Sequence, residues 1–170
     1  MFRLLITGSR KWVDVDAIRA EFELVKANAG SEVLLVSGAC PRGADRQCEL
    51  LAREFGWKIE LHPLNWKSGP EGAYNPMAGF ERNELMVNLG ADFVLAFIMD
   101  NSGGAMNTVR HANKAGIPVK EIHRSSEVTA PKAPIADWLK PYVHQAPKAE
   151  LVEVEPEVKG KTPKWHRLFA

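Results

Sequence analysis

The chain has 170 residues, room for one domain of ordinary size plus an extension, and its 22 Lys and Arg against 21 Asp and Glu give a formal charge of +1. That balance excludes the global basic excess that by itself marks a non-specific nucleic-acid binder. Two cysteines, Cys40 and Cys48, spaced neither as C-x-x-C nor near a histidine pair, exclude a disulfide framework and a structural zinc site, so no metal is expected.

The opening MFRLLITGSR carries an apolar run too short for a secretory signal, and no later run approaches the roughly 18 apolar residues of a membrane span. The expectation is a cytoplasmic protein without a membrane partner. Apolar runs flanked by turn residues recur at 2–7, 33–36, 59–61, 93–98 and 117–122 and read as buried strands. Between them, Ile18, Phe22 and Val25, then Ala44, Cys48, Leu51, Ala52 and Phe55, repeat at helical spacing, with Gly30 and Gly56 where helices end. Two further helices are expected over about 79–89, stopping at Gly90, and 105–115, stopping at Gly116. Strand and helix alternate through residues 1–123, which predicts an α/β, three-layer domain: a mainly parallel sheet of about five strands with helices on both faces.

Two stretches break the rhythm. Residues 63–79 form a long Gly- and Pro-rich loop holding Trp66 and Tyr74, read either as a lid or as a plain insertion. Residues 124–170 are Pro- and Lys-rich and read as an extended or disordered tail, in which Ile135, Trp138 and Leu139 would share one amphipathic turn. A homo-oligomer, or a protein partner docked through this tail, stays open.

In an open parallel sheet, ligands bind beyond the carboxyl ends of the strands. The strand-to-helix loops there are TGSRKW, SGACPRGADR, the long loop ending AGFERN, and MDNSGGAMNT. Most combine glycine with small hydroxyl residues just before a helix, where unpaired amides and the helix dipole favour an anion. They also supply Arg10, Arg42, Arg46 and Arg82, so a phosphate-bearing ligand is the natural tenant. The usual phosphate motifs nevertheless fail. Gly38 to Gly43 matches half of a P-loop, but Ala44 and Asp45 stand where the lysine and the magnesium-binding hydroxyl belong, and Gly8 alone is no G-x-G-x-x-G fingerprint. Cys40 lies beside Arg42 with no histidine nearby in sequence, which makes it a passenger, and the five scattered histidines take no role. Asp45, in the first turn of its helix, reads equally as a capping carboxylate and as a ligand contact.

These loops together carry a family resemblance. GSR after the first strand, SGACPRGADR after the second, AGFERNELM opening the third helix and SGGAMNTVRHANKAGIPV around the fourth resemble the SLOG superfamily of Rossmann-like proteins, most closely its YspA/YpsA-related branch, over about residues 1–123. The resemblance implies a binder of nucleotides or phosphorylated nucleoside derivatives without a separate cofactor. The implied ligand set is Gly8, Ser9, Arg10, Ser37, Gly38, Arg42, Gly43, Asp45, Arg82, Asn83, Ser102, Gly103, Gly104 and Thr108. Serines and glycines would form the backbone cradle, Arg10, Arg42 and Arg82 would balance phosphate charge, and Asp45 and Asn83 would hold sugar or base.

Two relatives define the alternatives. The lonely-guy phosphoribohydrolases, which release a base from a nucleoside monophosphate, resemble this chain in Arg82-Asn83-Glu84-Leu85-Met86 and in the segment before Val109. Thr108 stands there in place of their catalytic glutamate, leaving Arg82, Glu81 and Glu84 as the candidates for N-glycosidic hydrolysis. The DNA-processing protein A family resembles SGACPRGAD, ERN and SGGAMNT, which implies single-stranded DNA as the second partner class. A groove of Arg10, Arg42, Arg46, Arg82 and Lys67 with Trp12 and Trp66 as stacking platforms would serve it.

Overall fold

A computed structural model of the chain describes residues 1–126; the expectations for the tail beyond them, including the turn at 135–139 and a tail-docked partner, lie outside the described residues. Strands β1 (Phe2–Gly8), β2 (Val33–Ser37), β3 (Lys58–Leu61), β4 (Phe93–Met99) and β5 (Val119–Arg124) alternate with helices α1 (Val15–Ala29), α2 (Ala44–Glu54), α3 (Ala78–Asn88) and α4 (Gly103–Lys114). All four strand pairings are parallel and the sheet order is β3-β2-β1-β4-β5, the three-layer α/β architecture expected from the alternation.

Side chains alternate across the pleat, so each central strand feeds two cores. Leu4, Ile6, Leu35, Leu95 and Phe97 point to one face, where Ile18, Phe22 and Val25 of α1 and Cys48, Leu51 and Ala52 of α2 cover them. On the opposite face Leu5, Val36 and Val94 meet Met86 and Val87 of α3 and Ala112 of α4, while Ala96 and Ile98 meet Ala105 and Val109. Each large side chain so buried contributes about 1.5–3 kcal/mol of transfer free energy, which is why the pattern of these runs fixes the layers. Among the described residues no helix is long and apolar enough to cross a membrane.

Element ends depart slightly from expectation. Strand β5 starts at Val119 rather than at 117, because the Ile117 amide turns back to the Ala112 carbonyl at 3.0 Å to close α4, and Pro118 has no amide to give to a ladder. Helix α4 starts two residues early, at Gly103, with Ser102 at its N-cap.

Helices α1 and α2 carry the chain from β1 out to β3, and α3 returns it to β4 on the other side of β1. The loops after β1 and β4 therefore diverge in opposite directions, opening a crevice between them.

Candidate functional site

That crevice is a cavity of about 360 Å³. Its walls are Gly8, Ser9, Arg10 and Lys11 after β1, Gly38, Cys40 and Asp45 after β2, Arg82, Asn83 and Met86 on α3, and Met99 to Ser102 with Gly104 and Ala105 after β4.

Ser9 pins three of these loops together. Its amide donates to the Phe97 carbonyl at 2.9 Å, and its hydroxyl donates to the Met99 carbonyl at 3.1 Å and accepts from the Met99 amide at 2.8 Å. Its own carbonyl accepts from the amides of Trp12 at 3.1 Å and Ala44 at 3.2 Å. This approach is close enough to demand glycine at two places. A Cβ on Gly8 would lie 2.3 Å from the Ala44 Cβ, and one on Gly43, whose φ is +75°, would lie 2.3 Å from the Ser9 carbonyl oxygen.

The far wall is cross-braced from α3. The Arg82 guanidinium donates to the carbonyl of Gly38 and, at 3.2 Å, to that of His62, while its Nε donates to Asn83 Oδ1 at 3.1 Å. Asn83 in turn donates through Nδ2 to the Gly104 carbonyl at 3.2 Å and to Asn107 Oδ1 at 3.3 Å. One polar chain thus links the ends of β2 and β3 to the start of α4. Burial lowers the Arg82 pKa from its ordinary value, opposed by the field of Asp45.

Asp45 is the buried carboxylate of the cavity, 7% exposed. Burial pushes its pKa up to about 6, against the Cys40 amide, which donates to it at 3.3 Å, and against Arg82, its own amide and Arg10. Behind it, burial also raises the Cys48 thiol and the Glu49 carboxyl, the latter held by a 2.7 Å hydrogen bond from Ser37 Oγ.

Of the residues expected from sequence, Gly8, Ser9, Arg10, Gly38, Asp45, Arg82, Asn83, Ser102 and Gly104 line the cavity. Others lie elsewhere. The Ser37 hydroxyl is spent on Glu49, Gly43 packs on the first loop, and Thr108 is fully buried against Thr7 Oγ1 at 3.3 Å. Arg42 and Gly103 are exposed and outside the lining, as are Glu81, which accepts from Asn75 at 2.7 Å, and Glu84, 4.0 Å from His111. Trp12 corrects an expectation: it is 1% exposed, packed on Phe97 with ring centroids 5.3 Å apart, and offers no stacking platform, because its apolar ring completes the core beneath α1.

The loop over 63–79 contributes nothing to the lining and folds on itself. The Asn75 amide donates to the Trp66 carbonyl at 2.8 Å, and the Trp66 and Tyr74 rings stack at 5.5 Å and 14°. Lys11, Asp100 and Asn101 were missed by sequence reasoning. Lys11 could have been found from its place beside Arg10. Asp100 could not: it takes a left-handed turn at a strand end, φ +54°, a conformation that Asp adopts more readily than Ala, although Ala39 shares it at +53°. Among the described residues no cluster of side chains could hold a metal ion.

The family model described as YspA, cpYpsA-related SLOG family matches residues 2–69. The Gene 61 protein of Mycobacterium phage D29 is 38% identical over 126 residues, covering 70% of this chain and 94% of that protein. The X-ray structure of DNA processing protein A from Streptococcus pneumoniae superposes with a TM-score of 0.43 at 15% identity, over 71% of this chain and 58% of that one. This chain therefore spans less than two thirds of that structure's length.

Proposed function

The chain belongs to the YspA, cpYpsA-related SLOG family, and from that premise we propose that it binds a nucleotide or another phosphorylated nucleoside derivative in the cavity between β1 and β4. The observation that carries this reading is the start of α4. Gly104 lines the cavity, yet an added Cβ there would meet nothing within 4 Å, and its φ is not positive. Packing and backbone conformation make no demand for glycine, although glycine inside a helix costs about 1 kcal/mol relative to alanine. A bare backbone is useful where something outside the protein must come close to the amides of Gly103, Gly104 and Ala105, which precede the first intrahelical bond, from the Met106 amide to the Ser102 carbonyl.

The charges around it support an anion. Arg10 and Lys11 line the same cavity and make no hydrogen bond or ion pair with any described residue. Arg82 lines the cavity as well: its Nε and Nη1 brace Asn83 and the carbonyls of Gly38 and His62, while no described residue accepts from Nη2, so it both shapes the wall and keeps donors and charge for an anion.

The reading is of binding rather than turnover. Thr108 is buried, and Glu81 and Glu84 lie outside the cavity lining, which supports binding over glycosidic-bond cleavage. Thermal denaturation with a panel of nucleoside mono-, di- and triphosphates tests it: at least one should raise the melting temperature well beyond inorganic phosphate, with no free base released on incubation. A panel with no shift would overturn the reading, and base release would replace it by hydrolysis.

A further inference from the structure

Resting on that reading, we infer that Asp45 is the residue that selects the sugar: the cavity takes a 5′-phosphorylated riboside whose neighbouring 2′- and 3′-hydroxyls donate to the Asp45 carboxylate, and it discriminates against the 2′-deoxy form. Once their internal bonds are made, the walls still offer both donors and an acceptor. After β4, the amides that open α4 and the Ser102 hydroxyl offer donors to the cavity, and Lys11 and Arg10 line it too, Arg10 packed on Gly43 with its field reaching Asp45. After β2, Asp45 is more than nine-tenths buried and accepts only from main-chain amides, that of Cys40 and its own. No side chain donates to it, and its neighbour Arg82 is turned to the carbonyls of Gly38 and His62.

An ionised carboxylate has about four lone-pair positions, so acceptor capacity remains on Asp45 that no described residue fills. Asp45 lines the cavity, so a ligand seated there can supply those positions with donors in place of water. The charges narrow its chemistry. A phosphate cannot sit against Asp45 without like-charge repulsion, which sends it to the α4 end. A cationic group is disfavoured because the fields of Arg82 and Arg10 already reach Asp45. What fits is a neutral group with two adjacent donors; every ribonucleotide carries one in the vicinal diol of its ribose, one hydroxyl for each carboxylate oxygen, whereas among the bases only guanine offers such an edge, which the pyrimidine arm of the test separates. Asn83, the other polar group first considered for the sugar, has its amide engaged on both sides by Arg82, Gly104 and Asn107.

The test is calorimetric titration of the full chain at pH 8 with ribo- and 2′-deoxyribonucleoside 5′-monophosphates of a purine and a pyrimidine, with ribose 5-phosphate alongside. The ribo forms should bind more tightly by about 10- to 100-fold, the range of a hydrogen bond to a charged acceptor. In Asp45→Asn the ratio should fall towards one while the phosphorylated compounds still bind. Should that variant fail to fold, the 2′-O-methyl ribonucleotide on the wild-type chain decides instead, since it loses the donor and keeps the oxygen. Equal affinity for ribo and deoxy forms overturns the sugar assignment and leaves phosphate binding standing. Absence of binding by every phosphorylated compound overturns both.

Discussion

The guanidinium of Arg82, on α3, donates to the main-chain carbonyl of Gly38, 44 residues earlier at the end of β2. A Cβ on Gly38 would meet the Arg82 guanidinium and push it aside. The pair joins the helix on one face of the sheet to the loop that leads into α2 and Asp45, so one side chain sets both the shape of the cavity and, with Arg10, the charge beside its carboxylate.

Replacing Arg82 by methionine keeps the apolar stem and removes the donors. The Gly38 and His62 carbonyls would lose their partner, and stability should fall by about 1–3 kcal/mol, read from the urea midpoint. Loss of the positive field should also move the Asp45 carboxyl above its present value of about 6, followed by carbon-detected NMR. An unchanged titration would show that Arg82 and Asp45 do not interact.

Asp45 makes a pH-dependent contribution of unusual sign. It ionises near 3.8 when unconstrained and near 6 in the folded chain. Between those values the folded state holds a proton that the unfolded state has released, so stability falls as pH rises through this window and the cost is complete above it. Asp45→Asn removes the charge at nearly constant shape. It should raise stability by about 1–3 kcal/mol at pH 8 and by little at pH 4, as measured by melting temperatures across the range. A variant that is less stable at pH 8 would contradict the burial of an unpaired carboxylate.

Glycines at the two ends of the cavity should behave in opposite ways. Gly8→Ala drives a methyl into Ala44 and the Phe97 carbonyl, and overpacking of this kind costs about 1–3 kcal/mol or more. Gly104→Ala meets no protein atom and should stabilise the free protein by up to about 1 kcal/mol. The same change should weaken nucleotide binding at least several-fold. A Gly104→Ala protein that binds as tightly as wild type would remove the main support for an anion at the start of α4.

Trp66→Ala tests whether the loop over 63–79 is a lid. The loop is closed by its own bonds and stays out of the cavity lining, so nucleotide affinity should change by less than about twofold. A large loss would mean that the loop folds over bound ligand.

Much of this was legible in the sequence. The alternating runs gave the layers because burial on both faces of a parallel strand leaves a local signature, and the four loops were recognised because glycine and small hydroxyl residues before a helix are also local. Side-chain partners were less legible. Arg42 and Lys11 look alike in sequence, yet the first is exposed outside the cavity and the second lines it. No local pattern records that Arg82 braces the carbonyls of Gly38 and His62, and Trp12 reads as a surface aromatic until Phe97 is found against it.

The sequence by itself determined the order of strands and helices and the ends of the strands at which chemistry could occur, since both follow from periodicity over a few residues. Only the tertiary structure decided which loops face one another and which polar groups remain unspent. Those follow from the strand order β3-β2-β1-β4-β5 and from contacts such as Gly8 on Ala44 and Gly43 on Ser9, made between residues far apart in the chain, where no local pattern records the partner.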